Sequence, residues 1–209
     1  MSLAGRIRIQ AVRVLADDHY VLKKTIFDWR RDDGDWQTVS RETYDRGNGV
    51  TLLPYNRQAR TVILTRQFRY PAYVNGYDEL MIEACAGLLD EAAPDARVRA
   101  EVEEETGYRL GPIEKIFECF MSPGSVTEKL TFYVAEYASD MKVGDGGGLH
   151  DEGEDIGVLE LGFDTALAMI ADGRIADAKT VMLLQYAALH LFKGVPSPLA
   201  GEGGPEGVG

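Results

Sequence analysis

Apolar and polar residues alternate through residues 6–15, RIRIQAVRVL, which is the period-two pattern of a β-strand. Residues 20–30 and 36–44 repeat it on either side of Asp32-Asp33-Gly34-Asp35, a hairpin-type turn. The three segments predict an N-terminal meander over residues 1–45, a small subdomain or a dimerisation arm. Asp45-Arg46-Gly47-Asn48-Gly49 breaks the pattern. Residues 50–55 and 61–67 are then apolar enough for a buried hairpin, with its turn at 56–59. A short strand at 80–85 is expected to run into a glycine loop, Ala86-Gly87-Leu88-Leu89. Further strands are predicted at 113–120, 130–138 and 158–161, the first two separated by the loop Ser122-Pro123-Gly124-Ser125.

The periodicity turns helical in three places. Residues 94–106 form an acidic helix that starts at Pro94, where a missing N–H costs nothing, and stops at Gly107, a suitable C′ residue. Residues 163–172 and 178–192 are amphipathic, with Val181, Leu184, Ala188 and Leu191 on one stripe. Many strands with few helices predict an α+β fold, a sandwich around a mixed sheet. Residues 141–155 are glycine-rich and acidic; a loop that long inside a domain is either disordered or functional. Residues 194–209 are rich in glycine and proline, and a disordered tail is expected there.

The acidic helix changes the picture from fold to chemistry. Glu101, Glu104 and Glu105 are spaced i, i+3, i+4, so their carboxylates share a face and repel one another. A solvated acidic face is the plain interpretation of such a triplet. The glycine loop ahead of the helix adds a second element, because it brings backbone groups close to a ligand. Hard divalent cations such as Mg²⁺ take oxygen ligands of this kind.

Composition narrows the classes. The chain has 209 residues, 45% hydrophobic and 27% charged, ordinary for one soluble domain with a sizeable core. A net charge of −12 argues against nucleic acid or an anionic membrane as the partner. No apolar run reaches the length of a membrane span, and the N-terminus lacks the apolar core of a secretion signal. Cys85 and Cys119 make no disulfide framework, which places the expected compartment in the cytoplasm; Cys85 reads as a packed small residue. His19, His150 and His190 lack zinc-ligand spacing.

Gly87, then Glu101-Val-Glu-Glu104-Glu105-Thr-Gly107-Tyr, resembles the Nudix box, G-x5-E-x7-R-E-U-x-E-E-x-G-U. Its second half is intact. Ala93 stands where the box has its first Glu, Ala100 where it has Arg, and the interval between them is one residue short. The resemblance extends over about residues 18–193, through Glu42-Thr-Tyr-Asp-Arg46-Gly-Asn-Gly49, Arg66-Gln-Phe-Arg69, Glu83-Ala-Cys-Ala86-Gly-Leu-Leu-Asp90, Met121-Ser-Pro-Gly124, Thr127-Glu128, Gly146-Gly-Gly148 and Asp177-Ala-Lys179-Thr180. It points to the nucleoside-diphosphate-sugar hydrolase branch, and within it to the GDP-mannose pyrophosphatase group. It implies a Nudix-type α/β/α sandwich at residues 46–193, with the meander at 1–45 expected to contact substrate across a homodimer.

The resemblance also implies a site. Glu101, Glu104, Glu105, Glu154 and the carbonyl of Ala86 are expected to ligate Mg²⁺ or Mn²⁺. Ala86 and Gly87 would face the substrate with their backbone. Glu105 and Glu152 carry the expected catalytic roles, Glu152 as general base by its place in Glu152-Gly-Glu154-Asp155-Ile156, with His150 as its rival. Arg69 is expected on the diphosphate, because guanidinium offers forked donors. Arg41 and Glu42 reach substrate in the resembling enzymes. Tyr20 is a platform for the base or a core tyrosine. Glu128 is expected on a sugar hydroxyl or at the loop surface, and Lys179 on sugar or base, or exposed at a helix start. Arg46 is expected to brace the fold.

The function implied is Mg²⁺-dependent hydrolysis of a nucleoside diphosphate sugar, foremost GDP-mannose to GMP and mannose 1-phosphate, without nucleic-acid or membrane partners. ADP-ribose hydrolysis shares the box, the arginine and the E-x-E-D-I loop, and stays open. A catalytically inactive nucleotide-binding protein also stays open, on the strength of Ala93 and Ala100.

Overall fold

Three long strands open the chain in the computed structural model, which describes residues 3–89, 93–149 and 153–194. They are β1 (Ile7–Asp17), β2 (Val21–Arg30) and β3 (Trp36–Asp45), paired antiparallel in that order. The β2–β3 ladder is unbroken from Val21 opposite Asp45 to Arg30 opposite Trp36. The β1–β2 ladder is irregular between Ile9 and Ala11 and between Val14 and Ala16. Every residue of β1 is exposed, including Ile7, Ile9, Val12 and Val14. An edge strand with apolar side chains in water is a template for pairing. These strands belong to a first compact unit, which runs through Asn48 and includes Cys119–Leu130; Gly49–Glu118 and the chain from Thr131 make the second.

The second unit is built on a sheet with the order β10-β5-β4-β9-β8, in which β6 pairs with β5 and β7 with β4. Its strands are β4 (Gly49–Asn56), β5 (Thr61–Gln67), β6 (Met81–Glu83), β7 (Cys85–Leu88), β8 (Glu114–Phe120), β9 (Lys129–Glu136) and β10 (Gly157–Gly162). The helices are α1 (Tyr70–Tyr73), α2 (Pro94–Thr106), α3 (Phe163–Ala171) and α4 (Ala178–Tyr186). Side chains alternate across the sheet and so split the core in two. Val50, Leu52 and Ile63 pack with Val98 and Val102 of α2 on one face. On the other face Phe132 meets Phe117, which meets Tyr186 of α4, and Tyr55 and Phe163 both meet Phe192. The result is the expected α/β/α sandwich around a mixed sheet.

Three local expectations change. The stretch predicted as a glycine loop is strand β7, with Gly49 opposite Leu88, Val50 opposite Gly87 and Thr51 opposite Ala86. The period-two signal is invisible there because Ala86 and Gly87 carry no side chains large enough to alternate. Helix 178–192 stays α only to Tyr186 and finishes as a π-helical turn, Ala187–Leu191. The short α1 was not expected, since four residues leave no periodicity to read.

Much of the glycine-rich stretch is ordered, and its role is to finish α2. The last carbonyls of a helix lack intrahelical donors. Here Gly148 N–H donates to the Glu104 carbonyl at 3.1 Å, Gly147 N–H to Glu105 at 2.9 Å, and Val143 N–H to Gly107 at 2.8 Å. Gly107 sits in the left-handed region, at φ 76°, and a Cβ on it would overlap the Gly144 carbonyl; one on Gly146 would overlap the Glu105 carbonyl. The glycines are there because two backbones touch. His150 and Glu152, and the tail beyond residue 194, lie outside the described residues.

Gly107→Ala is expected to destabilise the chain by at least about 1–2 kcal/mol, the cost of the left-handed conformation alone, before any displacement of Gly144 is added. Urea denaturation checks it.

Candidate active site

Helix α2 carries the acidic cluster to the edge of β7. Val98 and Val102, one turn apart, anchor its apolar side, and Glu101 and Glu105 are drawn in beside them. Asp95 in the first turn accepts the Tyr133 hydroxyl at 2.6 Å and fixes the entry. The N-cap is Ala93, and among the described residues no side chain caps the helix start.

Glu101 lies flat against Gly87, so closely that any Cβ there would collide with its carboxylate. Arg97 reaches the same group, with Nη2 2.5 Å from Glu101 Oε1 and Nη1 4.0 Å from Glu104 Oε2, and its Nε donates to the Leu88 carbonyl at 3.3 Å. Arg99 donates to the carbonyls of Leu110 and Gly111 after the helix. Two arginines inside the helix thus brace the turns around it while position 100 is alanine.

Glu105 is the most constrained of the three. Only 3% of it is exposed. Burial, followed by the charge of Glu101, pushes its carboxyl up to about 8, and Glu154 adds to the repulsion. The buried Cys85 thiol hydrogen-bonds it, yet Oε2 has no partner among the described residues. Cys85 is itself pushed well up by burial and by Glu105, which makes it a packed thiol as expected and not a nucleophile. Glu154 turns back so that its Oε2 accepts the Leu149 N–H at 2.9 Å, a close approach that a Cβ on Gly148 would block.

A second charged cluster borders the first. Glu83, at the end of β6, is 2% exposed. Arg69 donates to it from Nε at 3.1 and 3.2 Å and from Nη2 at 2.8 Å, and Lys179 Nζ lies 3.4 Å away. Burial alone would raise Glu83, but Lys179 and Arg69 outweigh it and hold the carboxyl below its ordinary value. Burial likewise opposes the charge on Arg69, and Glu83 with Glu105 more than restores it. Lys179, allowed above as an exposed side chain, is in fact mostly buried, pairing also with Asp177 at 3.1 Å. Neither Glu83 nor Asp177 was assigned a role from the sequence. Their signal is the carboxylate three residues before Ala86 and an Asp-x-x-Thr helix cap.

Tyr20, Arg41, Glu42 and Glu128 belong to the first unit. Glu128 is 3.5 Å from Arg46 Nε, and Arg46 lies 5.6 Å from the centre of the Tyr20 ring. Arg41 and Glu42 line a cavity of about 590 Å³ with Phe120, Pro123 and Thr127.

A model described as the GDP-mannose pyrophosphatase NudK N-terminal domain matches residues 6–44. The GDP-mannose pyrophosphatase of Pectobacterium atrosepticum is 50% identical over 189 residues, 90% of this chain and 97% of that protein. That of Yersinia pestis is 51% identical over 186 residues, 88% and 93% of the two chains. The chain belongs to the GDP-mannose pyrophosphatase family. A solved structure titled as an ADP compounds hydrolase matches with a TM-score of 0.67, covering 90% of this chain and 95% of that one; at 18% identity it speaks for the fold. The Nudix resemblance read from the box therefore holds.

Nudix hydrolases generally need a divalent metal. The acidic cluster suits one chemically. It offers an orphaned buried oxygen on Glu105, a glycine cradle at Gly87 and oxygen donors throughout. Among the described residues no three acidic, histidine or cysteine side chains close on one point, and Arg97 stands on Glu101 where a cation would be welcome.

With its carboxyl pushed up to about 8, Glu105 must take up a proton on folding near neutral pH, a cost that Glu105→Gln does not bear. In EDTA at pH 7 the variant is expected to melt higher than the wild type, by roughly 2–4 °C for each kcal/mol of that cost in a chain of this size. Calorimetry of both proteins checks it.

Proposed function

We propose that this chain hydrolyses the pyrophosphate bond of GDP-mannose, releasing GMP and mannose 1-phosphate. The observation that carries the proposal is half identity over nine-tenths of the chain to proteins named for that activity. The acidic site supports it, because a pyrophosphate can approach a protein of net charge −12 only where cations offset both.

In this proposal Glu101, Glu104, Glu105, Glu154 and the Ala86 carbonyl hold Mg²⁺ or Mn²⁺. When bound, the metal supplies charge neutralisation and lowers the pKa of water. The chain's own residues do the rest. Arg69 holds the diphosphate, and Lys179, expected on sugar or base, joins it there because Glu83 pairs the two. Gly87 keeps side chains out of the space where backbone and substrate meet. Glu152 takes the proton of the attacking water. Tyr20, Arg41, Glu42 and Glu128 contact base and sugar. The working form is a homodimer, supported by the exposed apolar edge of β1. The compartment is the cytoplasm, in keeping with unpaired Cys85 and Cys119; no helix among the described residues is long and apolar enough to cross a membrane. No nucleic-acid partner is invoked.

The test is product release from GDP-mannose, ADP-ribose, UDP-glucose and ADP-glucose, with Mg²⁺ and with EDTA. GDP-mannose is expected to turn over fastest, with the rate lost in EDTA. Faster turnover of ADP-ribose would transfer the same chemistry to the other substrate, and no turnover of any of the four would leave a nucleotide-binding protein. Glu105→Gln is expected to lose at least about a hundredfold in kcat, on the scale of removing one preorganised electrostatic group from an active site.

A further inference from the structure

We propose that Glu83 is a positioning residue: one buried carboxylate that holds Arg69 and Lys179 side by side so that both cations meet the diphosphate of the substrate. The proposal rests on Arg69 and Lys179 being substrate contacts.

The Glu83 backbone is fixed from both sides. Thr65 on β5 lies opposite it and donates its hydroxyl to the Glu83 carbonyl at 3.2 Å. The next residue, Ala84, donates its N–H to Thr180 Oγ1 at 2.7 Å. Thr180 in turn donates its hydroxyl to Asp177 Oδ2 at 2.6 Å, and Asp177 caps α4 by accepting the Thr180 N–H at 3.0 Å. Lys179 closes the ring, bonded to Asp177 at one end of this chain of contacts and to Glu83 at the other. The start of α4 and the end of β6 are therefore one piece, and β6 leads through Ala84 directly into Cys85, Ala86 and Gly87.

The side chains on this piece are unequal in a telling way. Glu83 has only 3% of its side chain exposed, whereas Arg69 has 42%. Arg69 commits Nε and Nη2 to Glu83, and its Nη1 makes no hydrogen bond among the described residues. A guanidinium clamped along one edge and open along the other presents a donor at a fixed angle. Preorganised donors of that kind bind an anion without a further cost of ordering. Two cations this close would repel and swing apart if the carboxylate between them were neutral. Glutamine at position 83 keeps the shape, but it has a single acceptor oxygen and no charge with which to hold both.

The experiment measures inorganic pyrophosphate binding to the Mg²⁺-loaded protein by titration calorimetry, alongside KM and kcat for GDP-mannose. It uses wild type, Glu83→Gln, Arg69→Ala and the double variant, with a melting temperature for each. Glu83→Gln is expected to weaken pyrophosphate binding about tenfold and to raise KM more than it lowers kcat, while the double variant loses less than the product of the two single losses, because coupled residues are not additive. Glu83→Asp is expected to recover part of the loss. Unchanged binding in Glu83→Gln would overturn the proposal, as would a double variant whose loss is the product of the two single losses. Equal binding by wild type and Arg69→Ala would also overturn it, since the proposal needs both cations on the diphosphate. Should Glu83→Gln fail to fold, the cycle between Arg69→Ala and Lys179→Met decides: shared dependence on Glu83 makes the losses less than multiplicative, and multiplicative losses overturn it. Turnover of ADP-ribose in place of GDP-mannose would end the substrate reading, while the pyrophosphate arm would still judge Glu83.

Discussion

Glu101 and Glu105, one helical turn apart and both shielded from water, impose the constraint that the surrounding structure answers. Like charges that close destabilise a helix even on its surface, and burial sharpens the conflict. The apolar docking of Val98 and Val102 gives α2 no choice, because the same packing that secures the helix carries the two carboxylates inward. Each neighbouring feature eases that strain or leaves room for something that does. Gly87 yields its Cβ space to Glu101, Arg97 lays a guanidinium on it, and Cys85 offers Glu105 a weak thiol donor. The remaining deficit is Oε2 of Glu105, which has no partner among the described residues and whose oxygen chemistry suits a divalent cation.

The cations of the site are held by carboxylates of their own. Arg69 and Lys179 share Glu83, and Lys179 also has Asp177, so the positive groups reach the site nearly neutralised and rigid. A pair left to itself would place two long, flexible side chains in solvent, where an ion pair is weak and its geometry loose. Burial of Glu83 converts them into fixed donors. The glycine-rich stretch supplies rigidity by another route. Its amides satisfy the last carbonyls of α2, so the segment that leads toward Glu154 is tied to the same helix that bears Glu101 and Glu105. Family membership explains what such an assembly is for; the packing explains why it takes this form.

Some of this was legible along the chain. The bounds of α2 follow from Pro94 and Gly107, residues whose backbone chemistry is local. The strands of the meander follow from alternation, and the β4–β5 hairpin from apolar runs buried on both faces. The box carboxylates follow from spacing, and the family from a resemblance carried by several stretches of residues 18–193. Other features left little or no trace. Strand β7 leaves no alternation because Gly87 has no side chain and that of Ala86 is a single methyl. Glu83 gained its importance only when β6 and α4 met, nearly a hundred residues apart in sequence.

The sequence by itself determined most of the elements and the acidic face of α2, since each is set by residues within a few positions of one another, and it carried the kinship in stretches spread over residues 18–193. Tertiary structure decided which charges are buried, which cation each carboxylate holds, and why so many glycines gather near residues 144–148. Those outcomes depend on close approach between distant segments, and a carboxylate in a linear sequence carries no mark of whether water or a guanidinium will stand beside it.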